Sequence, residues 1–508
     1  MVAEKKIVDL ESLSRKILIL KSEGKKIVLC HGTFDLLHIG HHRYLKKARS
    51  FGDILVVTLT ADSYVKKGPG RPVFQQDLRA EVLANLEIVD YVSCVESVTA
   101  VPAIEAVKPD FYVKGIEYKN TSEDVTGNIN IESKTVEKYG GDIVFTDDIT
   151  FSSSSLLNQH FGGISQEVKN FMSSFKRSYS IEDIFSCLDS LRKLRVAVVG
   201  DAIIDQYHYV NALGQTGKGN VLAVQYDSEE QFIGGSLAVA NHVAQHTSNV
   251  TVATVLGRQN SFENFISATL DRRVECFFDY FVDAPTVTKR RFVDSDLNKY
   301  FEVYYYNPNA KVEDRGKRLL DWARKKSGSY DLVIVTDFGN GMINGELIDE
   351  LQKNAKYLAV NTQLNSGNRG FHTINKYSRA DFVSLNEPEL RVALHDRSSK
   401  LSDLCEVVAN RINASRIAIT KGSKGVHLLD VDAGEHIEVP ALSSKVVDRI
   451  GAGDAFLSLA AMTSVSGASG GLAALLGSIA GALDVQIVCN REPVSIVDVK
   501  KFATTLLK

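Results

Sequence analysis

The fold of the N-terminal part is decided by the stretch from residue 26 to residue 41, which reads KIVLCHGTFDLLHIGH. The segment IVLC after the first lysine is entirely apolar, as expected for a strand that is buried on both faces of a parallel sheet. A loop follows, and we predict a helix from about His41 to Phe51. A helix that begins soon after a strand presents backbone N–H groups and the positive end of its dipole, which together suit a phosphate.

The same alternation of apolar strands and amphipathic helices extends along the chain. Further apolar segments occur at 53–59, 91–95, 111–113 and 142–145, and the series restarts at 194–200. This order predicts two α/β domains with parallel sheets. In the second domain, the stretch 277–305 is rich in Phe, Tyr, Thr and Val, which predicts a small antiparallel β flap.

Two further stretches bear on the domain organisation. Residues 162–191 are polar, with apolar residues at helical spacing, so we predict a helical linker between a first domain at 1–161 and a second at 192–508. The stretch 455–483 contains no charged residue and is long enough to cross a bilayer, but SGASGG at 466–471 interrupts it. We therefore predict two buried helices joined by a glycine turn there.

The composition excludes several classes of protein. The chain has 508 residues, 24% of them charged, and a net charge of -3. These values exclude a mostly disordered chain and argue against nucleic acid or an anionic membrane as a partner. The 6 cysteines are scattered without a C-x-x-C pair, and the N-terminus has no apolar secretory segment. We therefore expect a cytoplasmic protein with reduced thiols.

Two histidines near the predicted helix start are candidates for chemistry. His38 and His41 flank Gly40, and imidazoles in that place can hydrogen-bond nucleotide phosphates and stabilise charge on a phosphorus under attack. Such a reaction needs positioning and positive charge rather than a covalent intermediate. Two alternatives are a metal cluster that also includes His31 and His42, or ordinary surface histidines. No zinc-protease pattern of His with carboxylate accompanies them.

The residues around these histidines resemble the cytidylyltransferase-like family of nucleotidyltransferases, over roughly 25–160. The matching segments are 32–38, the basic loop 66–73, 113–115 and the Ser-rich stretch 151–155. The resemblance implies a Rossmann-like domain in which the catalytic residues are His38, His41 and Lys67. It also implies nucleotide-binding roles for Gly32, Thr33, Phe34, Lys66, Arg71, Lys114, Ser153 and Ser154.

The choice of nucleotide depends on the segment before the Ser-rich stretch. Glycerol-phosphate cytidylyltransferases carry an Arg there, whereas this chain has DDITF at 147–151. In that respect it resembles the adenylyltransferase half of bacterial heptose enzymes, so ATP is favoured and CTP stays open. Class I aminoacyl-tRNA synthetases share the His-x-Gly-His signature, but no partner motif like Lys-Met-Ser-Lys-Ser is found here.

A second candidate site is the sequence GAGD at 451–454, which precedes a long apolar helix. Gly451, Ala452 and Gly453 leave backbone N–H groups accessible at the helix start, and these form an anion hole suited to a transferring phosphate. Asp454 can accept the proton of an attacking hydroxyl. Taken alone, the pattern is equally typical of a glycine-rich helix cap with an Asp near the positive end of the dipole.

Four other motifs place GAGD in context: GDAIID at 200–205, GG at 234–235, NEPE at 386–389 and TKGSKG at 420–425. With them, roughly 192–508 resembles the ribokinase/phosphofructokinase-B family of carbohydrate kinases. The resemblance implies a ribokinase-like α/β domain with Asp454 as catalytic base. Implied nucleotide and phosphate contacts are Asn386, Glu389 (which reaches Mg²⁺ indirectly), Thr420, Gly422, Gly425, Gly451, Ala452 and Gly453. The implied sugar contacts are Asp205, Gly234 and Gly235.

Three positions on the expected substrate side depart from the heptose-phosphate kinases. Ala238, Asn340 and Asn361 stand where that group has Asn, Lys and Asp. This predicts a kinase with an altered acceptor rather than an inactive one. The two halves together resemble the bifunctional heptose-phosphate kinase/adenylyltransferases, with the domain order reversed.

The leading expectation is a bifunctional sugar-activating enzyme. Its kinase would phosphorylate a sugar or sugar phosphate with ATP and Mg²⁺. Its nucleotidyltransferase would condense the sugar phosphate with a nucleoside triphosphate, ATP favoured, to an NDP-sugar and pyrophosphate. The alternatives are a CTP-dependent enzyme that makes a CDP-polyol or CDP-sugar, and a sugar- or nucleotide-sensing protein without turnover. The expected partners are small molecules, and the resemblance favours a homodimer.

Overall fold

The computed structural model describes residues 4–116, 128–146, 165–307, 309–368, 370–443 and 445–507. The chain divides into two compact units, Met1–Ser165 with Lys500–Lys508, and Gln166–Val499. The C-terminal residues therefore belong to the first unit, whereas the boundaries predicted from the sequence assign them to the second domain. Those boundaries stay predictions.

The first unit is built on a five-stranded parallel sheet with the strand order β3-β2-β1-β4-β5. Its strands are β1 (Ile27–Gly32), β2 (Ile54–Thr60), β3 (Tyr91–Val95), β4 (Phe111–Gly115) and β5 (Asp142–Thr146). Its helices include α1 (Leu10–Ser22), α2 (Ile39–Arg49), α3 (Gln76–Ala84), α4 (Val101–Val107) and α5 (Asn128–Lys138). The winding direction reverses beside β1, and ligand crevices of open α/β sheets form at the carboxyl ends of strands at such a point.

The central strand β1 is buried on both faces, as its apolar run predicts. Val28 and Cys30 pack into one apolar cluster with Leu45 of α2, whereas Leu29 packs into a second cluster with Leu13 of α1. Successive side chains of a strand point to opposite faces, so an uninterrupted apolar run needs helices on both sides. The predicted strand and the helix after it are confirmed, with α2 starting two residues earlier than expected.

The second unit contains a nine-stranded sheet with the order β10-β9-β6-β13-β14-β15-β16-β17-β18, in which β17 and β18 are antiparallel. Its strands are β6 (Arg195–Gly200), β9 (Asn249–Gln259), β10 (Val274–Pro285), β13 (Leu332–Asp337), β14 (Leu358–Thr362), β15 (Phe382–Asn386), β16 (Arg416–Thr420), β17 (Val426–Asp430) and β18 (Glu435–Val439). The helices around it include α8 (Ser236–Ala244), α9 (Glu263–Thr269), α10 (Lys317–Lys326), α11 (Gly345–Asn354), α12 (Glu387–Leu394) and α13 (Leu401–Ile412).

A small flap is present in the second unit, but its predicted extent at 277–305 is wrong. Its four strands are β7 (Ala202–Gln215), β8 (Leu222–Gly235), β11 (Val287–Val293) and β12 (Lys299–Tyr305), in the order β12-β11-β7-β8. Strand β10, which starts the predicted region, pairs in parallel with β9 in the large sheet instead. The flap is also mixed, because β11 and β7 are parallel. Composition identifies these segments as strands but does not identify their pairing partners.

The helices outside the central sheets largely match the patterns that predict them. The proposed linker forms α6 (Gln166–Phe175) and α7 (Ile181–Ser190), both within the second unit, and a reciprocal Ser180–Asp183 capping box starts α7. The uncharged stretch forms α14 (Ala452–Val465) and α15 (Gly470–Asp484), which confirms two buried helices.

The last helix, α16 (Ile496–Leu507), ends within the first unit. Among the described residues, none of the helices combines the length and the apolar character that crossing a bilayer requires.

Candidate active sites

The structure brings the two predicted histidines together at the carboxyl end of β1. His38 is the N-cap of α2, with extended backbone (φ -141°), and its Nδ1 accepts the N–H of Gly40 at 3.1 Å. The ring of His41, one turn into the helix, lies with its centroid 4.1 Å from that of His38. The edge of the Phe34 ring packs against His41 at a centroid distance of 5.5 Å. The two imidazoles therefore lie side by side at a helix start, where an anion is favoured.

The two imidazoles are not both cationic at neutral pH, because the environment of His41 disfavours its protonated form. Burial, together with smaller contributions from the charges of His38 and Lys67, lowers the pKa of His41 to about 3. At neutral pH His41 is therefore uncharged, and a neutral imidazole can donate one N–H to a phosphate. Because the charge of Lys67 acts on His41, the lysine loop contributes cationic charge to this site.

Asp35 ties the basic loop to the end of β1, a role that the sequence did not reveal. Its Oδ2 lies 3.2 Å from Nη1 of Arg71, while its Oδ1 accepts the N–H of Val73 at 2.7 Å and of Phe74 at 3.1 Å. The Asp35 carboxylate is 5% exposed, and buried carboxylates need such partners. Arg71, predicted to bind nucleotide, is thus partly committed to holding its own loop.

Arg79 is a second residue that the sequence analysis missed. It lies on α3, is 2% exposed, and donates to Thr33 O, to Thr60 O at 2.9 Å and to Asp62 Oδ1 at 2.5 Å. The guanidinium therefore holds the loop after β1 against the end of β2. A lone arginine on an amphipathic helix gives no local signal of burial, because most such side chains extend into solvent.

Lys114 has a charged partner of its own within the first unit, and two further predicted residues lie outside the described part of the chain. Lys114 on β4 is buried, and its Nζ lies 3.1 Å from Oε2 of Glu132, which also accepts the hydroxyl of Tyr112 at 2.9 Å. Its nucleotide contact stays a prediction. Ser153 and Ser154 lie outside the residues that the structure describes.

The GAGD motif of the second unit starts α14 with geometry that requires glycine at its first position. Gly451 is the N-cap with φ +102°, and a Cβ there would lie 2.5 Å from Asn490 Oδ1 and 2.7 Å from Asp484 Oδ2. The backbone N–H groups of Ala452 and Gly453 follow in the first turn, where a helix offers them no internal acceptor. The helix start therefore has the backbone geometry that suits an anion.

The electrostatic environment of Asp454 suits a base that works near neutral pH. Burial, with a smaller contribution from the negative charge of Asp205, raises the pKa of Asp454 to about 7. The positive charge of Lys289 opposes both effects. Three residues far apart in sequence thus meet in one site, and the carboxylate of Asp454 is poised to exchange a proton.

The predicted sugar contacts lie where the flap joins the body of the second unit. On β7 and β8 the register pairs Ile203 with Gly234, and the Asp205 side chain lies directly against Gly234, where a Cβ would meet it. Gly235 has φ +59° and caps α8. The Asp205 carboxylate forms a buried ion pair with Arg291 of β11.

Lys289 and Arg291 are the two residues of this site that sequence reasoning missed. Lys289 pairs in register with Asp205, is 8% exposed, and its Nζ lies 5.4 Å from the centroid of Phe338 and 5.7 Å from that of Tyr304. Burial lowers the pKa of Lys289, while Asp205 counteracts this. The signal available in the sequence was KRR at 289–291, an unusual cluster of charge inside a predicted strand.

The predicted nucleotide contacts of the second unit lie on neighbouring strands. Asn386 at the end of β15 pairs in register with Thr420 at the end of β16. The turn after Thr420 contains Gly422 and Gly425, with φ +58° and +84°. Carboxyl ends of adjacent parallel strands form one edge, so these motifs lie together at that edge of the sheet.

Glu389 fits an indirect contact with Mg²⁺. Its Oε2 accepts the N–H of Asn386 at 2.7 Å and its Oε1 that of Leu364 at 3.2 Å, so both oxygens already serve a capping box and a loop. Burial raises the pKa of Glu389 to about 7. In the part of the chain that the structure describes, no group of three or more His, Cys, Asp or Glu could hold a metal ion. The remaining lone pairs of Glu389 suit a hydrated Mg²⁺ that arrives with nucleotide phosphates.

The three substrate-side departures differ in what their residues do. Asn361 donates from Nδ2 to Ser384 O at 2.8 Å and thereby links β14 to β15. Asn340 is 6% exposed, and its Nδ2 has no hydrogen-bond partner among the described residues. Ala238 is buried in α8, and Asn241 on the same helix accepts the N–H of Asp271 at 2.8 Å.

Two families have models that match this chain. The model described as pfkB family carbohydrate kinase matches residues 193–492, and the model described as cytidylyltransferase-like matches residues 29–176. The two matches coincide with the two resemblances that the motifs indicate.

Curated relatives match the N-terminal region. The bifunctional protein HldE of Aliarcobacter butzleri is 46% identical over 136 residues, which are 26% of this chain and 28% of that protein. The bifunctional protein HldE of Geobacter metallireducens is 43% identical over 141 residues, 27% of each chain. The chain thus matches little more than a quarter of the length of these relatives.

Solved structures share the fold of the second unit. Two crystal structures of phosphofructokinase-2 from Escherichia coli, one with fructose-6-phosphate and one with substrates and products, match with TM-scores of 0.50 and 0.51 at 16% identity. Each match covers 62% of this chain and 100% of the other. The ribokinase-like α/β fold is therefore confirmed. The chain carries a cytidylyltransferase-like domain that precedes the kinase domain in the sequence. Because the carbohydrate-kinase model matches more than half of this chain's residues, the chain belongs to the pfkB family of carbohydrate kinases.

Proposed function

We propose that the protein is a bifunctional sugar-activating enzyme, with a kinase in the second unit and a nucleotidyltransferase in the first. The observation that carries the kinase half is the convergence of Asp454, Asp205 and Lys289 at the glycine-rich start of α14. The nucleotidyltransferase half is supported by the adjacent rings of His38 and His41 at the start of α2.

In the kinase site, Asp454 accepts the proton of an acceptor hydroxyl as that oxygen attacks the γ-phosphorus of ATP and ADP leaves. The N–H groups of Ala452 and Gly453 bind the oxygens of the transferring phosphoryl group. Bound Mg²⁺ supplies charge neutralisation to the nucleotide phosphates, and Glu389 orients the water around it. Asp205 and the Gly234 backbone orient the sugar.

The basic residues of β11 favour a phosphorylated acceptor. Arg291 forms an ion pair with Asp205 and lies 3.4 Å from Glu302. The Lys289 ammonium lies near the rings of Tyr304 and Phe338, and the charges of Asp205 and Asp454 also act on it. A buried ammonium group facing a sugar site suits an anionic substituent on that sugar, such as a phosphate. The substrate class that we propose is therefore a sugar phosphate.

Lys289→Met should raise the KM for a sugar phosphate by about tenfold or more, because a charge-assisted hydrogen bond is lost. The KM for the corresponding unphosphorylated sugar should change little. The pH midpoint of kcat/KM should also move upward, since the Lys289 charge lowers the pKa of Asp454. Steady-state kinetics with both acceptors check this. Lys299→Met on the next flap strand, where the ammonium faces Asp448 at 3.9 Å, is the matched control. Equal losses with both acceptors would contradict the assignment.

In the nucleotidyltransferase site, a phosphate oxygen of the sugar phosphate attacks the α-phosphorus of a nucleoside triphosphate, and pyrophosphate leaves. His38 and His41 stabilise charge on the α-phosphate, and Lys66 and Lys67 bind the phosphates that depart. No covalent intermediate is required. ATP is the favoured nucleotide from the resemblance to heptose enzymes, and CTP is the second candidate.

The test is a mass-spectrometric assay of the purified full chain with Mg²⁺, ATP, CTP and a heptose 7-phosphate. A heptose bisphosphate followed by ADP-heptose is the expected result, and CDP-heptose would identify CTP as the second nucleotide. A panel of other sugar phosphates extends the assay. Absence of both ADP and pyrophosphate with every acceptor would overturn the enzyme proposal in favour of a sensing protein.

A further inference from the structure

The C-terminal segment contributes an apolar face to the first unit. Residues Lys500–Lys508 group with Met1–Ser165, although the whole second unit separates them in the chain. On this segment of α16, Phe502, Ala503 and Leu506 are 3%, 1% and 3% exposed. Their spacing places them on one side of the helix, so this side is packed against protein.

Phe502 contacts the basic loop at Gly68. A Cβ on Gly68 would lie within 2.7 Å of Cε2 of the Phe502 ring and closer still to its neighbour, so the loop backbone rests directly on the ring. Gly68 also has φ +97°, a backbone conformation that L side chains rarely adopt. The residue immediately before it is Lys67, whose charge acts on His41.

The loop is therefore attached at two points. At the C-terminal end of the loop, Arg71 and the N–H of Val73 bind Asp35. Further towards its N-terminal end, the loop contacts the Phe502 ring at Gly68. The lysines assigned to the triphosphate, Lys66 and Lys67, come immediately before the Gly68 attachment in the sequence. Lysine side chains are long and flexible, so the position of their ammonium groups depends on how firmly the backbone is held.

We propose that Phe502 is a positioning residue for nucleotidyl transfer: its ring holds the lysine loop so that Lys66 and Lys67 stand beside the histidine pair. This inference rests on the function proposed for the first unit. It makes the end of the chain part of a site whose other residues all lie in the first third of the sequence. A displacement of the loop by about 1 Å is enough to cost a large factor in rate.

The test compares matched pairs of variants in the full chain. Phe502→Ala removes the support, and Leu506→Ala removes buried volume from the same helix side. Gly68→Ala introduces the collision with the ring, whereas Gly70→Ala, also at positive φ (+75°), meets nothing within 4 Å. We expect Phe502→Ala and Gly68→Ala to raise the KM for the nucleoside triphosphate about tenfold, with less than about a threefold change for the two controls. Phe502→Leu should restore most of the loss, and the sugar-kinase rate serves as an internal control for folding.

A second readout does not depend on turnover. Limited trypsin digestion, followed by mass spectrometry, measures cleavage after Lys66 and Lys67, and Phe502→Ala should accelerate it relative to Leu506→Ala. Equal effects of Phe502→Ala and Leu506→Ala in both assays would overturn the inference, because the helix would then only anchor the fold. Wild-type protein without nucleotidyl transfer would instead overturn the function proposed for the first unit, and the cleavage comparison would still decide whether Phe502 holds the loop.

Discussion

Asp454→Asn is expected to lower the rate of phosphoryl transfer to the sugar by about 10³-fold, while nucleotidyl transfer by the same chain is unchanged. The substitution keeps the shape of the side chain but removes the proton acceptor, and general base catalysis contributes about 10²–10⁴-fold. Coupled detection of ADP measures the first reaction and detection of pyrophosphate the second. Equal loss of both would contradict the assignment of the two activities to separate units.

The pH profile gives an independent check of the same residue. Asp454 acts as a base only when deprotonated, and its pKa is raised to about 7. The value of kcat/KM should therefore rise with pH through about 7 and level off above it, and this limb should vanish from the residual activity of Asp454→Asn. Asp432→Asn, at an exposed turn after β17, is the control and should retain the wild-type profile.

Loss of either imidazole at the start of α2 should lower nucleotidyl transfer by about 10²–10³-fold, the usual cost of removing one donor that stabilises transition-state charge. For His38 the informative variant is His38→Asn, because Asn is a good N-cap and preserves the start of the helix. His41→Asn tests the neighbouring ring. The kinase rate measured in the same preparation should stay at its wild-type value.

His42→Asn is the matched control for these variants. His42 lies on the same helix but is exposed, so the substitution changes no contact of the site. It should leave the rate of pyrophosphate release and the KM for the nucleotide unchanged. A comparable loss at His42 would show that the helix, rather than the His38–His41 pair, is sensitive to substitution.

Local patterns in the sequence were sufficient to predict the framework of both units. The apolar run before His31 predicts a doubly covered strand, and α2 follows it as expected. The uncharged stretch interrupted by glycine predicts the α14–α15 pair. These features are predictable because burial on both faces and a helix start depend on neighbouring residues, which the sequence displays directly.

Pairing between distant strands could not be predicted in the same way. The strand character of the region around β10 and β11 was recognised, but β10 joins the large sheet and β11 joins the flap. Alternation indicates that a segment is extended without indicating its partner. The roles of Lys289 and Arg291 could therefore not be predicted, because they depend on the strand register that brings both residues beside Asp205.

The sequence by itself determined which residues could perform chemistry, since GAGD and the His-x-Gly-His motif require specific residue types at a helix start. The tertiary structure decided the protonation state of these residues and the contacts that position them. It keeps His41 uncharged and raises the pKa of Asp454, because burial and neighbouring charges act through space. It also brings Phe502 to Gly68, a contact that no local pattern encodes because the two residues are far apart in the sequence.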